Sequence, residues 1–209
     1  MKILIADDHT IVREGIKQIV TSMPQVAAVE EASTGFEVIE KINANHYDVV
    51  LLDISMPGKS GLDVLKEIKT NKPKLPVLIL SIHSEDQYAK RVLKAGAAGF
   101  IPKHTAPEEL KKAILKASSG GRYVSNHLAE KLATELGLNN NQALYETLSD
   151  REFQVLQKIA SGKPLKDIAD ELFISIKTVS TYRTRILEKL HLNNNAELIK
   201  YALENGLID

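Results

Sequence analysis

The chain of 209 residues contains no cysteine, so disulfide bonds and thiolate-held metal centres are excluded. It also lacks any apolar run approaching the roughly 18–20 residues of a membrane span. The opening segment, Met1 to Asp8, turns acidic after one short apolar stretch, unlike a secretory leader, so the expected location is the cytoplasm. Net charge is zero, which by itself points away from nucleic acid. That balance is uneven along the chain. Residues 146–209 hold nine Lys and Arg against ten Asp and Glu, yet within 172–193 Lys177, Arg183, Arg185 and Lys189 face Glu188 alone. A local field of that kind is all that a phosphate backbone requires. What is present is an ordinary globular composition, 44% hydrophobic and 26% charged, with a length suited to one large or two modest domains.

The first 120 residues alternate short apolar runs with longer amphipathic stretches. The runs at 3–6, 26–31, 49–52, 77–81 and 99–101 read as strands, and three of them are almost purely aliphatic, as in parallel strands buried on both faces. The stretches at 11–22, 36–45, 62–71, 85–95 and 107–119 read as helices. Gly96 and Gly120 stand as C-terminal stops. Thr105 and Glu108 form a candidate capping box, with Pro107 in the first turn. Five strands alternating with five helices imply a doubly wound α/β sheet.

In such a sheet, ligands bind at the C-terminal ends of the strands. Asp7 and Asp8 follow the first strand, Asp53 follows the third, Ser81 ends the fourth with His83 close behind, and Lys103 follows the fifth. Taken singly, each has an ordinary explanation. An aspartate or serine there is a turn or cap residue, and a lysine is solvated. Gathered on one rim, they call for another reading, whereas His83 stays an exposed loop histidine. Clustered carboxylates repel unless a cation joins them, and an all-oxygen donor set without thiolates suits Mg²⁺. Mg²⁺ on carboxylates beside an ammonium is the electrostatic equipment of phosphoryl transfer, in which an aspartate can itself be the nucleophile.

Asp7-Asp8, Leu52-Asp53-Ile54-Ser55-Met56-Pro57-Gly58, Leu80-Ser81 and Gly99-Phe100-Ile101-Pro102-Lys103 together resemble the receiver domain of two-component response regulators, over about residues 1–120. The resemblance implies a flavodoxin-like, five-stranded parallel sheet. It also implies that Asp53 accepts a phosphoryl group from a sensor histidine kinase. By the same match, Asp8, Asp53 and the backbone carbonyl of Ser55 hold Mg²⁺, with Asp7 acting through water. Ser81 and Lys103 contact the phosphoryl oxygens, and Phe100 is the aromatic that turns inward when Ser81 moves. Ser81 stands where the family often has threonine, which keeps the hydroxyl.

Gly120-Gly121 closes this domain. Residues 121–145 read as a linker with a short helix over 126–136, begun by Ser125 and stopped by Gly137, followed by a flexible Asn139-Asn140-Asn141. Residues 146–209 show only helical patterns, in four pieces. Ser149 and Glu152 form a capping box for the first. The second covers 164–172, the third 176–190 with Ser175 as N-cap, and the fourth 195–204. In the third helix Ile176, Val179, Ile186 and Leu190 recur at core spacing, while Lys177, Ser180, Thr181, Thr184, Arg185 and Glu188 fall outside. A helix, a three-residue turn and a second helix with a Lys, Ser, Thr and Arg face make a helix-turn-helix pattern.

Leu148-Ser149-Asp150-Arg151-Glu152, Ile168-Ala169, Ser175 through Tyr182, and Lys189-Leu190 resemble the LuxR-type DNA-binding domain. Joined to the receiver, it is similar to the NarL/FixJ type of response regulator, a small all-α four-helix domain following an α/β one. The resemblance implies Ser180, Thr181 and Thr184 near bases, with Lys177, Tyr182, Arg183 and Arg185 toward the backbone of double-stranded DNA. It further implies a homodimer when phosphorylated, and no enzymatic activity beyond the receiver's own phosphoryl transfer and dephosphorylation. Many relatives carry lysine in place of Ser180, Ser or Thr in place of Pro164, and glycine in place of His191. The last leaves either a strained turn or a left-handed histidine. Two rival classes share part of the pattern. One is a phosphatase or phosphotransferase of small molecules using Asp53 as nucleophile, for which no cap insertion is present in residues 1–120. The other is an adaptor whose C-terminal helices bind protein.

Overall fold

A computed structural model describes residues 1–82, 85–137 and 143–208, so the expectations for His83 and for residues 139–141 lie outside the described residues. The chain divides into two compact units, Met1–Thr134 and Glu135–Asp209.

The first unit carries strands β1 (Lys2–Ala6), β2 (Ala28–Ala32), β3 (Val49–Asp53), β4 (Val77–Ser81) and β5 (Gly99–Pro102). They form one parallel sheet in the order β2-β1-β3-β4-β5. Every residue of β3 and of β4 is buried, which is why these segments are aliphatic without alternation. The strand β2 is an edge, and it is kept polar by Glu30, paired with Lys2 at 2.6 Å, and Glu31, paired with Arg13 at 2.9 Å.

Helices α1 (Thr10–Thr21), α2 (Gly35–Ala44), α3 (Gly61–Asn71) and α4 (Glu85–Lys94) fill the four crossovers, and α5 (Pro107–Ser118) follows β5. Ile3, Ile5, Val49, Leu51, Leu78 and Leu80 pack with Ile16 and Val20 of α1 and with Leu110, Ala113 and Ile114 of α5. The alternate strand residues face the other way. There α2 lies against β1 and α3 against β3. The helix α5 starts where expected but departs from expectation in its cap. Pro107 takes the first helical position, so Ala106 becomes the N-cap and no side chain caps the helix. Glu108 is then one position short of closing a box with Thr105.

The segment after α5 closes the β5 edge. Tyr123 N–H donates to Ala98 O at 2.7 Å, and Tyr123 bridges Gly99 in parallel fashion. Its hydroxyl donates to Glu109 at 2.9 Å. Ser125 donates to Glu85 at 2.6 Å and accepts from the N–H of Leu128, in the first turn of α6 (Asn126–Gly137).

In the second unit a 3-10 turn, Leu144–Thr147, leads into α7 (Asp150–Ala160), α8 (Leu165–Leu172), α9 (Ile176–Leu190) and α10 (Asn195–Glu204). The capping box of Ser149 and Glu152 is formed in both directions. Phe153, Leu156, Ile168, Val179, Ile186, Leu190 and Leu198 make the core. His191 resolves its alternatives by adopting the left-handed conformation, φ 57°, and Phe173 does the same at φ 54°.

Candidate functional site

The aliphatic run of β3 places Asp53 at the carboxyl end of the sheet, beside the end of β1. These two neighbours have their crossovers on opposite faces, and a crevice opens at such a switch point. Asp53 is 1% exposed. Its Oδ1 accepts the N–H of Ser55 at 3.2 Å. The following loop turns at Gly58, φ +73°, and returns to Gly61, where a Cβ would stand 2.0 Å from the carbonyl oxygen of Asp53. The close approach therefore requires glycine at the head of α3.

The same rim receives Lys103 from β5. Its Nζ donates to Asp53 Oδ2 at 2.8 Å and lies 2.6 Å from Asp7 Oδ2. Lys103 N–H donates to Ser81 O at 2.7 Å, so the ends of β4 and β5 are laced together beneath the ammonium. Burial pushes the Asp53 carboxyl upward and outweighs the Lys103 charge that pulls it down, and the Asp7 carboxylate adds to the rise. Burial also opposes the charge on Lys103, but Asp53 and Asp7 overcome it and hold the ammonium above its ordinary range.

Asp7 is fully buried and Asp8 partly so. One ligand atom from each of Asp7, Asp8, His9 and Asp53 lies within 4.8 Å of the others. Asp8 Oδ1 is shielded from solvent and accepts no hydrogen bond. A buried carboxylate oxygen left without a donor, in a cluster with a single ammonium, fits a divalent cation through oxygen ligands. Sequence reasoning missed His9. Beside an Asp-Asp pair it looks like a solvated loop residue, and its reach over both carboxylates comes from the turn into α1. Arg13 was also missed. It donates to Asp7 O at 2.6 Å and so fixes the loop from one turn into α1.

The structure brings Asp7, Asp8, Asp53 and Lys103 together, and it buries Ser81 at the end of β4 and Phe100 within β5. Phe100 is 1% exposed and pairs with Ile79 across the sheet.

In the second unit, Ser175 caps α9 by accepting from Thr178 N–H at 3.0 Å. Lys177, Ser180, Thr181, Thr184 and Arg185 are exposed along one side of that helix, with Tyr182 and Arg183 half-buried. The hydroxyls of Thr181 and Thr184 donate to the carbonyls of Lys177 and Ser180, one turn earlier. Arg183 Nε donates to Asn195 at the start of α10, at 2.6 Å. Ile176 corrects the expectation that it faces the core, since it is 51% exposed. It is the first residue of α9, and Leu187 takes a buried place instead. Lys189 reaches back to α7 and meets Glu152 at 2.6 Å.

An acidic switch-point site in one unit and a helix-turn-helix in the other define a phosphorylation receiver joined to a DNA reader. Residues 3–115 match the family model of the response regulator receiver domain, and residues 146–202 match that of the bacterial regulatory proteins, luxR family. The response regulator UvrY of Escherichia coli K12 is 34% identical over 208 residues, covering 99% of this chain and 95% of the relative. The oxygen regulatory protein NreC of Staphylococcus carnosus is 37% identical over 216 residues, with 100% of both chains covered. Among solved structures, RcsB of Salmonella enterica serovar Typhimurium, bound to promoter P1flhDC in the presence of the phosphomimetic BeF3−, is 30% identical. It covers 96% of this chain and 97% of its own, with a TM-score of 0.69. The chain belongs to the two-component response regulators of the NarL/FixJ type, which pair a receiver with a LuxR-type DNA-binding domain and regulate transcription.

Proposed function

We propose that Asp53 is the phosphoacceptor and that its phosphorylation by a sensor histidine kinase switches DNA binding by α9. The observation that carries this reading is the Asp53 carboxylate, buried at the switch point, held by Lys103 at 2.8 Å and flanked by Asp7 and Asp8. A carboxylate oxygen of Asp53 attacks the phosphorus of a phosphohistidine. The new O–P bond forms as the N–P bond breaks, and the imidazole leaves with the electron pair. Lys103 neutralises charge on the phosphoryl oxygens, and the Ser81 hydroxyl donates to one of them.

Asp8, Asp53 and the Ser55 carbonyl would hold Mg²⁺, with Asp7 acting through water. When bound, the ion supplies positive charge to the transferring phosphoryl group. Water attack on the acyl phosphate later returns the free carboxylate, so the receiver catalyses only its own cycle.

The response passes from Ser81 and Phe100 as a two-state change at the strand ends, and it alters the receiver's contacts through the linker at 121–145. The phosphorylated form is a homodimer on two half-sites of DNA. On each, Ser180, Thr181 and Thr184 approach bases, while Lys177, Tyr182, Arg183 and Arg185 meet the backbone. Among the described residues no helix is long and apolar enough to cross a membrane, which accords with a cytoplasmic regulator.

The test is to treat the full chain with a small phosphodonor and Mg²⁺ and to map the added mass by peptide mass spectrometry. One phosphoryl group on the peptide containing Asp53, absent in Asp53→Asn, is expected. A phosphoryl group elsewhere would refute the assignment.

A further inference from the structure

We propose that Asn195, the first residue of α10, is a positioning residue for DNA binding: it aims the Arg183 guanidinium of α9 at the phosphate backbone without neutralising its charge. The inference rests on reading α9 as the DNA-contacting helix, with Arg183 toward the backbone.

The chain passes from α9 into α10 through Asn193-Asn194-Asn195, and each asparagine has a different task. Asn194 caps α10, its side chain accepting the N–H of Glu197 at 3.0 Å. The backbone N–H of Asn193 donates to the Glu197 carboxylate at 2.8 Å. Together these bonds fix the start of the helix. Asn195 is thereby held in place, and its Oδ1 accepts from Arg183 Nε at 2.6 Å. Both residues are half-buried. Arg183 follows the exposed Ser180 by three positions and the buried Val179 by four, so it stands where the exposed side of α9 meets its buried side.

The chemistry of the acceptor sets the role. Arg13 is paired with Glu31 at 2.9 Å, so its charge is neutralised within the fold. Arg183 has no carboxylate partner among the described residues, and its acceptor is a neutral amide. An amide oxygen fixes the plane of the guanidinium and leaves its positive charge intact. Bonding through Nε also leaves both terminal nitrogens without a partner among the described residues, and these form an edge that takes phosphate oxygens together. A long side chain already held in one orientation loses less freedom when DNA arrives, so the backbone contact is stronger for it.

The experiment uses the full chain with a small phosphodonor and Mg²⁺, and a fluorescent duplex of mixed sequence as probe, because a backbone contact is indifferent to sequence. Wild type, Asn195→Ala, Arg183→Gln and the double variant are titrated by fluorescence anisotropy at several NaCl concentrations, and their thermal unfolding is followed by circular dichroism. Arg183→Gln is expected to weaken binding and to lower the slope of log affinity against log salt by about 1. Asn195→Ala is expected to weaken binding roughly three- to tenfold when Arg183 is present, and by less than about twofold in the Arg183→Gln background. An equal loss in both backgrounds, or wild-type affinity in Asn195→Ala whether or not its unfolding temperature falls, would make the bond a structural tie between the helices and overturn the positioning role. Wild-type affinity and slope in Arg183→Gln would overturn Arg183 as a backbone contact. No salt-dependent binding by the wild type would overturn the reading of α9 itself.

Discussion

Lys103 Nζ donates to Asp53 Oδ2 at 2.8 Å, joining the end of β5 to the end of β3 across 50 residues of chain. The same ammonium lies 2.6 Å from Asp7 Oδ2, so a single positive charge serves two buried carboxylates. Lys103→Met removes that charge and leaves both carboxylates together. Phosphorylation of Asp53 from a small phosphodonor should slow by roughly 10²-fold, the usual cost of losing one stabilising donor at a charge that develops in the transition state. The receiver should also lose about 3–5 kcal/mol of stability without a cation, because breaking a buried pair strands the remaining charge. Single-turnover labelling and denaturant unfolding check the two effects, and added Mg²⁺ should restore part of the stability.

Gly61 carries a packing constraint. Its Cβ position lies 2.0 Å from Asp53 O, closer than any side chain tolerates. Gly61→Ala must displace the end of β3 or the start of α3. We expect a loss of at least about 3 kcal/mol, with slower phosphorylation in whatever fraction folds. Gly120→Ala, at a position open to solvent but with φ +83°, separates backbone strain from this clash and should cost only about 1 kcal/mol.

Glu152 ties α7 to α9 while capping α7. Burial pushes its carboxyl up, but Lys189 and the N–H and hydroxyl of Ser149 outweigh burial and hold it below its ordinary 4.5. A carboxyl whose folded value is depressed adds stability above the unfolded value, and that stability disappears as pH falls through the folded one. The second unit should therefore weaken on acidification below about 4.5. Glu152→Gln keeps the shape and one acceptor. At neutral pH it should cost about 1–2 kcal/mol and remove that part of the acid dependence. Circular dichroism melts across pH 3–7 measure both.

The exposed side of α9 separates affinity from sequence choice. Lys177→Ala should weaken DNA binding by a similar factor on all sequences and reduce the slope of log affinity against log salt by about 1. Thr184→Val deletes a hydroxyl at constant volume, and should change base preference at one position by about 1–3 kcal/mol with little change in the salt slope. Binding titrations at several salt concentrations, on a site and on its single-base variants, distinguish the two.

Much of this was legible because the relevant signals are local. An aliphatic run that ends on Asp53 announces a buried parallel strand with a carboxylate at its tip, and Ser149 with Glu152 announces a helix start. The pairing of Lys103 with both Asp53 and Asp7 was legible as co-location, since consecutive strand ends of one sheet share a rim. Contacts set by distant partners were not. The docking of Tyr123 on β5 and of Ser125 on Glu85 depends on where the chain returns after α5. Ile176 fits the apolar period of α9 but sits at its first residue and is exposed, and the period alone does not say where burial begins. The helix at 107 begins where expected, but Pro107 takes its first position, so Ala106 and not Thr105 is the N-cap and the box geometry is absent. His9 carries no periodic or capping signature at all, and its place over the carboxylates is a property of one loop.

On the function proposed above, a phosphoryl group on Asp53 governs DNA binding by the second unit. Genome-wide footprinting of the wild type and Asp53→Asn, each with and without phosphodonor, tests it most directly. A set of sites occupied by the wild type in response to the donor is expected, with no donor-dependent change in Asp53→Asn. Equal donor-dependent occupancy in both proteins, or wild-type occupancy indifferent to the donor, would contradict it.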